Sequence, residues 1–574
     1  MIFTIVINGQ TVTIRKKETI LSVLNRTRIK VPTLCHLAGF TPTGACRMCV
    51  VEVEGMPGLV TACSHPVEEW MKIRTHSPRV MKARRTNVEL LLANHPDDCL
   101  YCERSGICEL QELSFELDLK ERRYHIRKLS IPVDGDCPSI ERDPAKCILC
   151  GRCIRVCDEV IGVKAIEIIA RGIKSSIGTG RNNGLNIQAC VKCGQCIMVC
   201  PTAALKEKSS YHTVINALNQ PGLFPVIQIS PGVQGSIAED LGIKGSRDFQ
   251  NLLATALRKI GFRQVFDTSA AADLLVLEIS HQLNERIKAR EKMPLFTSCC
   301  PSWVKYIGDS RPGFKKHLVT SNSPMLIMGS LIKEKFADKM GIPADKIFSV
   351  AVMPCTSKKY EALTGSETDP PVIDAVLTTR ELIRLIRLYG IDFSTLEPEN
   401  TGIGFGIKGS SGKLSGISGG EAEAVIRTLH YLRTGTELSA MKINDLRGLK
   451  SRKEARVKIG RNTFGFASVS GLMAAQHLLD EIENGRNDLL MVEVMACPFG
   501  CINGGGQRYG TDEKALRSRM KALYDADEEE TIKAAHKNPS ISGFYTIEVD
   551  VPGSNNGVTE NEETETIPGQ VGPE

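Results

Sequence analysis

The stretch VAVMPCTSKKYE, residues 350–361, runs from an apolar segment straight into a cysteine motif, and VEVMACPFGC, residues 492–501, does the same. Around them, apolar runs such as FPVIQIS alternate with amphipathic stretches such as DFQNLLATALRKIG and MLIMGSLIKEKFADKMG. Strand alternating with helix predicts a large α/β domain over residues 210–510. Open α/β folds place their ligands at the carboxyl ends of strands. Cys355, Cys497 and Cys501 stand at such ends, and Cys300 in TSCCPSW, residues 297–303, joins them as a set gathered from distant parts of one fold.

The chain has 574 residues, long enough for several domains. With 42% hydrophobic and 24% charged residues and a net charge of +6, it has an ordinary soluble composition that predicts no nucleic-acid partner. No run approaches the roughly 18 apolar residues of a membrane span. The opening MIFTIVING lacks a basic leader and a cleavage site and fits a β-hairpin about Asn8-Gly9, so the cytoplasm is the expected compartment. There are 21 cysteines, mostly spaced by two residues; in a reducing compartment that pattern favours metal binding or catalysis over disulfides.

Residues 1–78 begin with alternating strands and then carry Cys35, Cys46, Cys49 and Cys63. Four thiolates on a small strand-rich domain suggest a 2Fe-2S centre, with a closed zinc site as the rival. Residues 79–125 hold HPDDCLYCERSGIC, in which His95, Cys99, Cys102 and Cys108 offer one imidazole and three thiolates to a 4Fe-4S cluster; spacing alone also leaves a zinc knuckle open. The runs CILCGRCIRVC at 147–157 and CVKCGQCIMVCP at 190–201 each read C-x2-C-x2-C-x3-C. In a two-cluster ferredoxin module the first three cysteines of a run hold one cluster and the fourth crosses to the other. Over residues 126–209 this assigns Cys147, Cys150, Cys153 and Cys200 to one 4Fe-4S cluster, and Cys190, Cys193, Cys196 and Cys157 to a second. Asp158 replaces the common proline after the first run, which touches the turn but removes no ligand.

TSCCPSW, MPCTSKKYE and EVMACPFGCINGGG match, in order, three signature segments through which the chain resembles the FeFe-hydrogenases of the long clostridial type, over nearly its whole length. The resemblance implies interconversion of protons, electrons and H2 at an H-cluster. That cofactor is a 4Fe-4S cube held by Cys300, Cys355, Cys497 and Cys501, with Cys501 bridging to a two-iron site. The two-iron site carries CO, cyanide and an azadithiolate and needs maturation proteins. Lys358 is then expected to hydrogen-bond a cyanide, Met353 and Met495 to pack their thioethers on the two-iron site, and Ser230 and Pro231 to shape the pocket beside the second cyanide. The bland reading makes both methionines ordinary core and Lys358 a surface charge. Three accessory 4Fe-4S clusters and one 2Fe-2S cluster would carry electrons to or from ferredoxin or NAD(P)H-oxidising flavoprotein subunits. The basic stretch KERRYHIRK, 120–128, reads as a dock for an acidic carrier or as a solvated helix face. Residues 511–552 resemble the helical small-subunit segment of the family, and residues 553–574, polar and acidic, read as a disordered tail.

A proton released by heterolytic cleavage of H2 has to leave a dry pocket. A thiol, with an ordinary pKa of about 8.5, can exchange protons near neutrality when no metal holds it. By resemblance Cys299 is that relay, while its neighbour Cys300 anchors the cube. Farther out the family pattern breaks: Ile279, Val319 and Gln282 stand where many members have a glutamate, a hydroxyl and a second glutamate. Glu278, Ser280, His281 and Glu285, or water, are expected to supply another route; Arg286 is retained. Phe499, where glycine is common, is expected to alter the cofactor wall, and Cys137 has no role.

Three functions fit these readings. The first is a hydrogenase. The second is a slow-turnover hydrogen-sensing relative, favoured by the missing carboxylates. The third is an iron-sulfur electron carrier or assembly protein without the two-iron site, disfavoured because a plain cube needs neither Cys299 nor Lys358.

Overall fold

The computed structural model describes residues 2–121, 123–124, 132–180, 184–243, 249–291, 294–365, 368–399, 409–439, 441–539 and 541. The expected tail, 553–574, and most of the basic stretch 120–128 lie outside the described residues.

β1 (Phe3–Ile7) and β2 (Gln10–Ile14) form the expected hairpin. Asn8 and Gly9 both take positive φ, 51° and 84°, as its two-residue turn requires. β3 (Val50–Val53), β4 (Val60–Thr61) and β5 (Lys72–Arg74) complete a mixed sheet in the order β2-β1-β5-β3-β4. Its inward residues Ile5, Ile7 and Ile14 share a core with Ile20, Leu21, Val23 and Leu24 of the helix Ile20–Arg26. Ser77 and Pro78, favoured cap and first-turn residues, then open the helix Pro78–Asn94, which stops at His95.

The two ferredoxin-like cysteine runs fold alike. Leu149 and Gly151 in the first, and Lys192 and Gly194 in the second, take left-handed backbone with φ of 54°, 71°, 61° and 72°. Each loop then enters a short helix, Arg152–Arg155 or Gln195–Val199. Their ends differ. Pro201 follows Cys200 where the second helix stops, whereas the first run, with Asp158 after Cys157, continues as a π-helical turn over Val156–Val160. β6 (Ile140–Arg142), β7 (Glu167–Ile169), β8 (Ser176–Gly178) and β9 (Leu205–Glu207) frame the runs as two antiparallel pairs, β6 with β9 and β7 with β8.

Among the described residues, eight strands build the large domain: β10 (Phe224–Ile229), β11 (Gln264–Asp267), β12 (Leu295–Phe296), β13 (Ile347–Met353), β14 (Ala375–Thr378), β15 (Arg452–Ile459), β16 (Asn462–Ser470) and β17 (Leu489–Met495). They divide into two sheets. One is parallel, in the order β11-β10-β13-β14; the other runs β12-β17-β16-β15 and is parallel except for the β15–β16 hairpin. The alternation of apolar and amphipathic runs predicts the strands but not this division, because periodicity reports which face is buried and not which strand lies alongside. The helices Ser269–Ala289 and Gly420–Thr434 pack together, with Ile279, Leu283, Val425 and Leu429 joining Leu295, Phe466 and Met491 of the second sheet in one core. The helix Glu513–Glu529 closes the domain. Its Asp527 enters a buried ion cluster in which Arg427 reaches Asp527 at 3.0 Å and Glu423 at 2.6 Å, and Arg447 bonds both carboxylates. Among the described residues no helix is long and apolar enough to cross a membrane.

Candidate active site and cluster relay

Cys35, Cys46, Cys49 and Cys63 meet on the N-terminal sheet. The Cys35 thiol is hydrogen-bonded to Cys46 and Cys63, and Cys49 to Cys63, whose backbone N–H also donates to Cys49 Sγ at 3.4 Å. Arg155, from the first ferredoxin-like run, donates to the Cys35 carbonyl, so the two segments are in contact. In the next segment His95 is buried at the end of its helix, Cys99 is exposed in the turn Cys99–Tyr101, and Cys102 lies within electrostatic reach of Cys108. Cys108 Sγ donates to the Pro201 carbonyl at 3.7 Å, and Arg104 to the Cys200 carbonyl at 2.8 Å. This segment therefore sits directly on the ferredoxin-like fold.

Within that fold the runs cross. Cys147, Cys150 and Cys153 each sense the charge of Cys200, while Cys190, Cys193 and Cys196 each sense that of Cys157. Burial pushes the Cys147 and Cys190 thiols up to about 11 and Cys150 up to about 12. Such thiols have little tendency to ionise unaided. Cys137 is fully buried among apolar side chains of the same fold and packs as a small hydrophobe.

The large domain gathers the scattered set. Cys300 follows β12 as the N-cap of the helix Pro301–Ser310, Cys355 follows β13, and Cys497 and Cys501 follow β17. Cys497 lies within electrostatic reach of Cys300, Cys355 and Cys501, and Cys501 within reach of Cys300 and Cys355. Burial raises Cys497, Cys501 and Cys300, the last to about 11; the Ala496 N–H donates to Cys300 Sγ at 3.5 Å, and the Ser357 hydroxyl sits 2.7 Å from Cys355 Sγ. Met353 and Met495 are buried at the ends of β13 and β17. A Cβ on Gly500 would lie 2.9 Å from Met495 Sδ, so only glycine fits there, at φ 89°. Ser230 and Pro231 turn from β10 into the helix Pro231–Asp240, bringing Gly232 so close that a Cβ on it would sit 3.7 Å from Cys501 Cβ. Lys358 is buried, not a surface charge; its ammonium pairs with Glu361 at 2.7 Å and is felt by Cys300, Cys501 and Glu421.

Phe499 takes φ 65° and packs against Leu414, Ile417, Ile502 and Leu516. Gly504, Gly505 and Gly506 have a purpose that reading the sequence passed over. A Cβ on Gly505 would lie 2.2 Å from the Cys193 carbonyl and 2.6 Å from Gly194 Cα, and one on Gly504 would lie 2.2 Å from the Pro354 carbonyl. Thr356 donates to the Lys192 carbonyl at 2.9 Å and Gln195 to the Asn503 carbonyl at 2.8 Å. The second ferredoxin-like loop is thus wedged into the loops that carry Cys355, Cys497 and Cys501, and Cys193 lies within electrostatic reach of Cys355 and Cys497.

Of the residues expected to replace the missing relay, Ser280, Glu278 and Glu285 are bonded elsewhere. Ser280 donates to the Val276 carbonyl, Glu278 accepts from Gln282, and Gln282 is further bonded to Thr320 and Ser321. Glu285 is exposed and pairs with Lys288, and Arg286 donates to the Lys316 carbonyl. Cys299 Sγ instead donates to Glu421 Oε2 at 2.8 Å. Glu421 was missed although SGGEAEAVIRTL, 418–429, holds two acidic residues in an otherwise apolar helix start, and buried carboxylates without a reason are rare.

Comparison with known families matches the iron only hydrogenase large subunit, C-terminal domain, over residues 224–505. A 2Fe-2S iron-sulfur cluster binding domain matches over 2–78, the NADH-ubiquinone oxidoreductase-G iron-sulfur binding region over 84–123, a 4Fe-4S dicluster domain over 140–204, and the iron hydrogenase small subunit over 513–556. The NADP-reducing hydrogenase subunit HndD of Solidesulfovibrio fructosivorans is 37% identical over 556 residues, spanning 94% of this chain and 95% of that one. Iron hydrogenase 1 of Clostridium pasteurianum is 34% identical over 563 residues, 96% and 97% of the two chains. Among solved structures, a variant of the apo [FeFe]-hydrogenase HydA1 of Chlamydomonas reinhardtii superposes with a TM-score of 0.53 at 30% identity, over 59% of this chain and 94% of that one.

Proposed function

The chain belongs to the iron-only hydrogenases, an oxidoreductase family whose members couple hydrogen turnover to an iron-sulfur electron relay, and from that premise we propose the division of labour among its residues. Cys300, Cys355, Cys497 and Cys501 hold the H-cluster. Four soft thiol donors fit such a group. When bound, the H-cluster supplies the redox and Lewis-acid chemistry that splits hydrogen into protons and electrons.

The protein's own groups do the rest. Met353, Met495 and the Ser230–Gly232 turn shape an apolar wall that excludes water, and Lys358, held by Glu361, presents one buried cation beside the anionic thiolates. Cys299 Sγ, which is not a ligand in this reading, holds the proton to be moved. Electrons pass through a 2Fe-2S cluster on Cys35, Cys46, Cys49 and Cys63 and a 4Fe-4S cluster on His95, Cys99, Cys102 and Cys108. Two further 4Fe-4S clusters, on the crossed sets Cys147, Cys150, Cys153 with Cys200 and Cys190, Cys193, Cys196 with Cys157, complete the relay. Domain limits at residues 78, 125, 209, 510 and 552 belong to the same proposal; helix starts at Pro78, Tyr211 and Glu513 support three of them. The likeness to the NADP-reducing subunit and to the NADH-ubiquinone oxidoreductase-G region supports NAD(P)H-linked subunits as electron partners.

One observation carries the proposal: four thiols from three strand ends meet in one buried pocket, with Cys193 of the second ferredoxin-like run within electrostatic reach of two of them. Infrared spectra after maturation are expected to show CO and cyanide bands, with about 20 irons per chain and hydrogen turnover. A chain with all accessory clusters filled but no such bands would instead be an electron carrier.

A further inference from the structure

Cys299 stands where two kinds of environment meet. On one side it packs against the core that contains Ile279, Leu283 and Val319, hydrocarbon that carries no proton. On the other, its Sγ donates to Glu421 Oε2 at 2.8 Å, and among the described residues Glu421 is its one hydrogen-bond partner. Glu421 lies in the first turn of the helix Gly420–Thr434 and is almost wholly buried, at 2% exposure. Its second oxygen, Oε1, is buried and bonded to no protein group. A carboxylate in that position costs stability unless it is protonated or exchanging with something. We propose that Glu421 is the residue that exchanges protons with Cys299, replacing the route that residues 279, 282 and 319 can no longer form.

The neighbours support an exchanging role for Glu421; burial raises the Glu493 carboxyl as well, against the backbone bonds that lower it. Glu493, on β17, is equally buried but accepts the Gly419 N–H at 2.7 Å and the Ala422 N–H at 2.8 Å, so its anionic form is held by the start of the same helix. The titratable groups facing Glu421 are Glu493, Cys299 and Lys358. Burial first, and then the Glu493 charge, push the Glu421 carboxyl up to about 7, where it can both hold and release a proton near neutrality. In the outward direction Glu421 first releases its proton to solvent water; the Cys299 S–H bond then breaks, that proton bonds to Glu421 Oε2, and Cys299 takes its next proton from the pocket; production reverses each step. Glu493 is itself bonded to Ser468 Oγ at 3.3 Å, which meets Ser418 Oγ at 2.8 Å, beside the buried ammonium of Lys453.

This inference rests on the hydrogenase reading, and infrared spectra of the chain with and without its cofactor separate the two. In the unloaded chain, the Cys299 S–H stretch, identified by its loss in Cys299→Ala, is expected to move to higher wavenumber in Glu421→Gln. A protonated-carboxyl band that titrates near neutrality is expected to vanish in the same variant. In the loaded enzyme, Glu421→Gln is expected to keep the CO and cyanide bands and to lose at least about 100-fold in turnover, with Glu421→Asp recovering part of it. An unmoved S–H band and a surviving carboxyl band overturn the proposal. So does turnover within about threefold of the parent, well short of an acid-base contribution. If Glu421→Gln takes up no cofactor, the two bands of the unloaded chain decide by themselves. A parent chain that gains CO and cyanide bands yet turns over no hydrogen overturns the hydrogenase reading, and the same two bands still decide the Glu421 pairing.

Discussion

Where the catalytic pocket meets the ferredoxin-like fold its wall is mostly backbone: Gly505 against the Cys193 carbonyl and Gly194, and Thr356 on the Lys192 carbonyl. Where it meets the helix Gly420–Thr434 its wall is buried acid, Cys299 on Glu421 with Glu493 behind. The contrast follows from what each side has to conduct. Electrons need short, rigid separations and no titratable group, which close glycine packing provides. Protons need groups that bond and release in turn, which means polar atoms kept in a dry interior at a cost in stability.

The largest effect that would sharpen this contrast is on the proton side. Cys299→Ala removes the only thiol on Glu421 and is expected to lower hydrogen turnover by about 10²- to 10⁴-fold, the range of a lost acid-base group, while the reduction of the accessory clusters by an outside donor stays unchanged. Equal losses in both would mean that the variant had damaged the fold and that the two sides are not separable.

On the electron side, Gly505→Ala forces a methyl group onto two backbone atoms that cannot turn away. Overpacking against backbone is expected to cost about 3 kcal/mol or more. Urea unfolding of the variant, together with the rate of electron arrival at the catalytic centre from reduced accessory clusters, measures it. A variant as stable and as fast as the parent would show that the close packing serves no purpose in the relay.

Glu421→Gln has a second consequence, in stability. Because the native chain holds the Glu421 proton up to about 7 against an ordinary 4.5, it binds more protons than the unfolded chain across that window, and stability falls as pH rises through it. The contribution is whole below about pH 4.5 and gone above about pH 7. Glutamine removes the slope: the variant is expected to match the parent near pH 5 and to exceed it by about 3 kcal/mol at most near pH 8, read from urea midpoints. Parallel pH profiles would mean that Glu421 does not change its protonation on folding.

The two sides also differed in how far the sequence revealed them. The runs at 147–157 and 190–201 are local, so spacing specified their ligand sets, and the crossing of the fourth cysteine is seen in the fold as Cys200 beside Cys147, Cys150 and Cys153. The four gathered thiols are separated by up to 201 residues, from Cys300 to Cys501, and no periodicity links them; strand ends suggested the set, and the resemblance supplied the cofactor it would hold. Glu421 was illegible for a further reason. It is 122 residues from Cys299, and its partnership depends on how the helix Gly420–Thr434 docks against Ser269–Ala289, a tertiary fact that neither propensity nor spacing encodes. Glu278, Ser280, His281 and Glu285 lie on the helix Ser269–Ala289, which lacks the family's carboxylates, whereas Glu421 lies on its packing partner.

The helix Ser269–Ala289 offers the smallest and most discriminating prediction. Gln282 sits where a relay glutamate is common in the family, and its side-chain amide is fully used: its two N–H donors have Glu278 at 3.0 Å, Thr320 at 2.9 Å and Ser321 at 3.1 Å to share between them, and its oxygen accepts the Thr320 N–H at 3.3 Å. An amide so engaged ties the helix Ser269–Ala289 to the segment after Val319 and transfers no proton. Gln282→Leu is therefore expected to cost a modest amount of stability, about 1 to 2 kcal/mol for the lost hydrogen bonds, and to leave turnover per loaded enzyme within about threefold, far below the loss of an acid-base group. A loss of tenfold or more, with the CO and cyanide bands intact, would return the proton route to the helix Ser269–Ala289 and break the division between the hydrocarbon and acidic faces of Cys299.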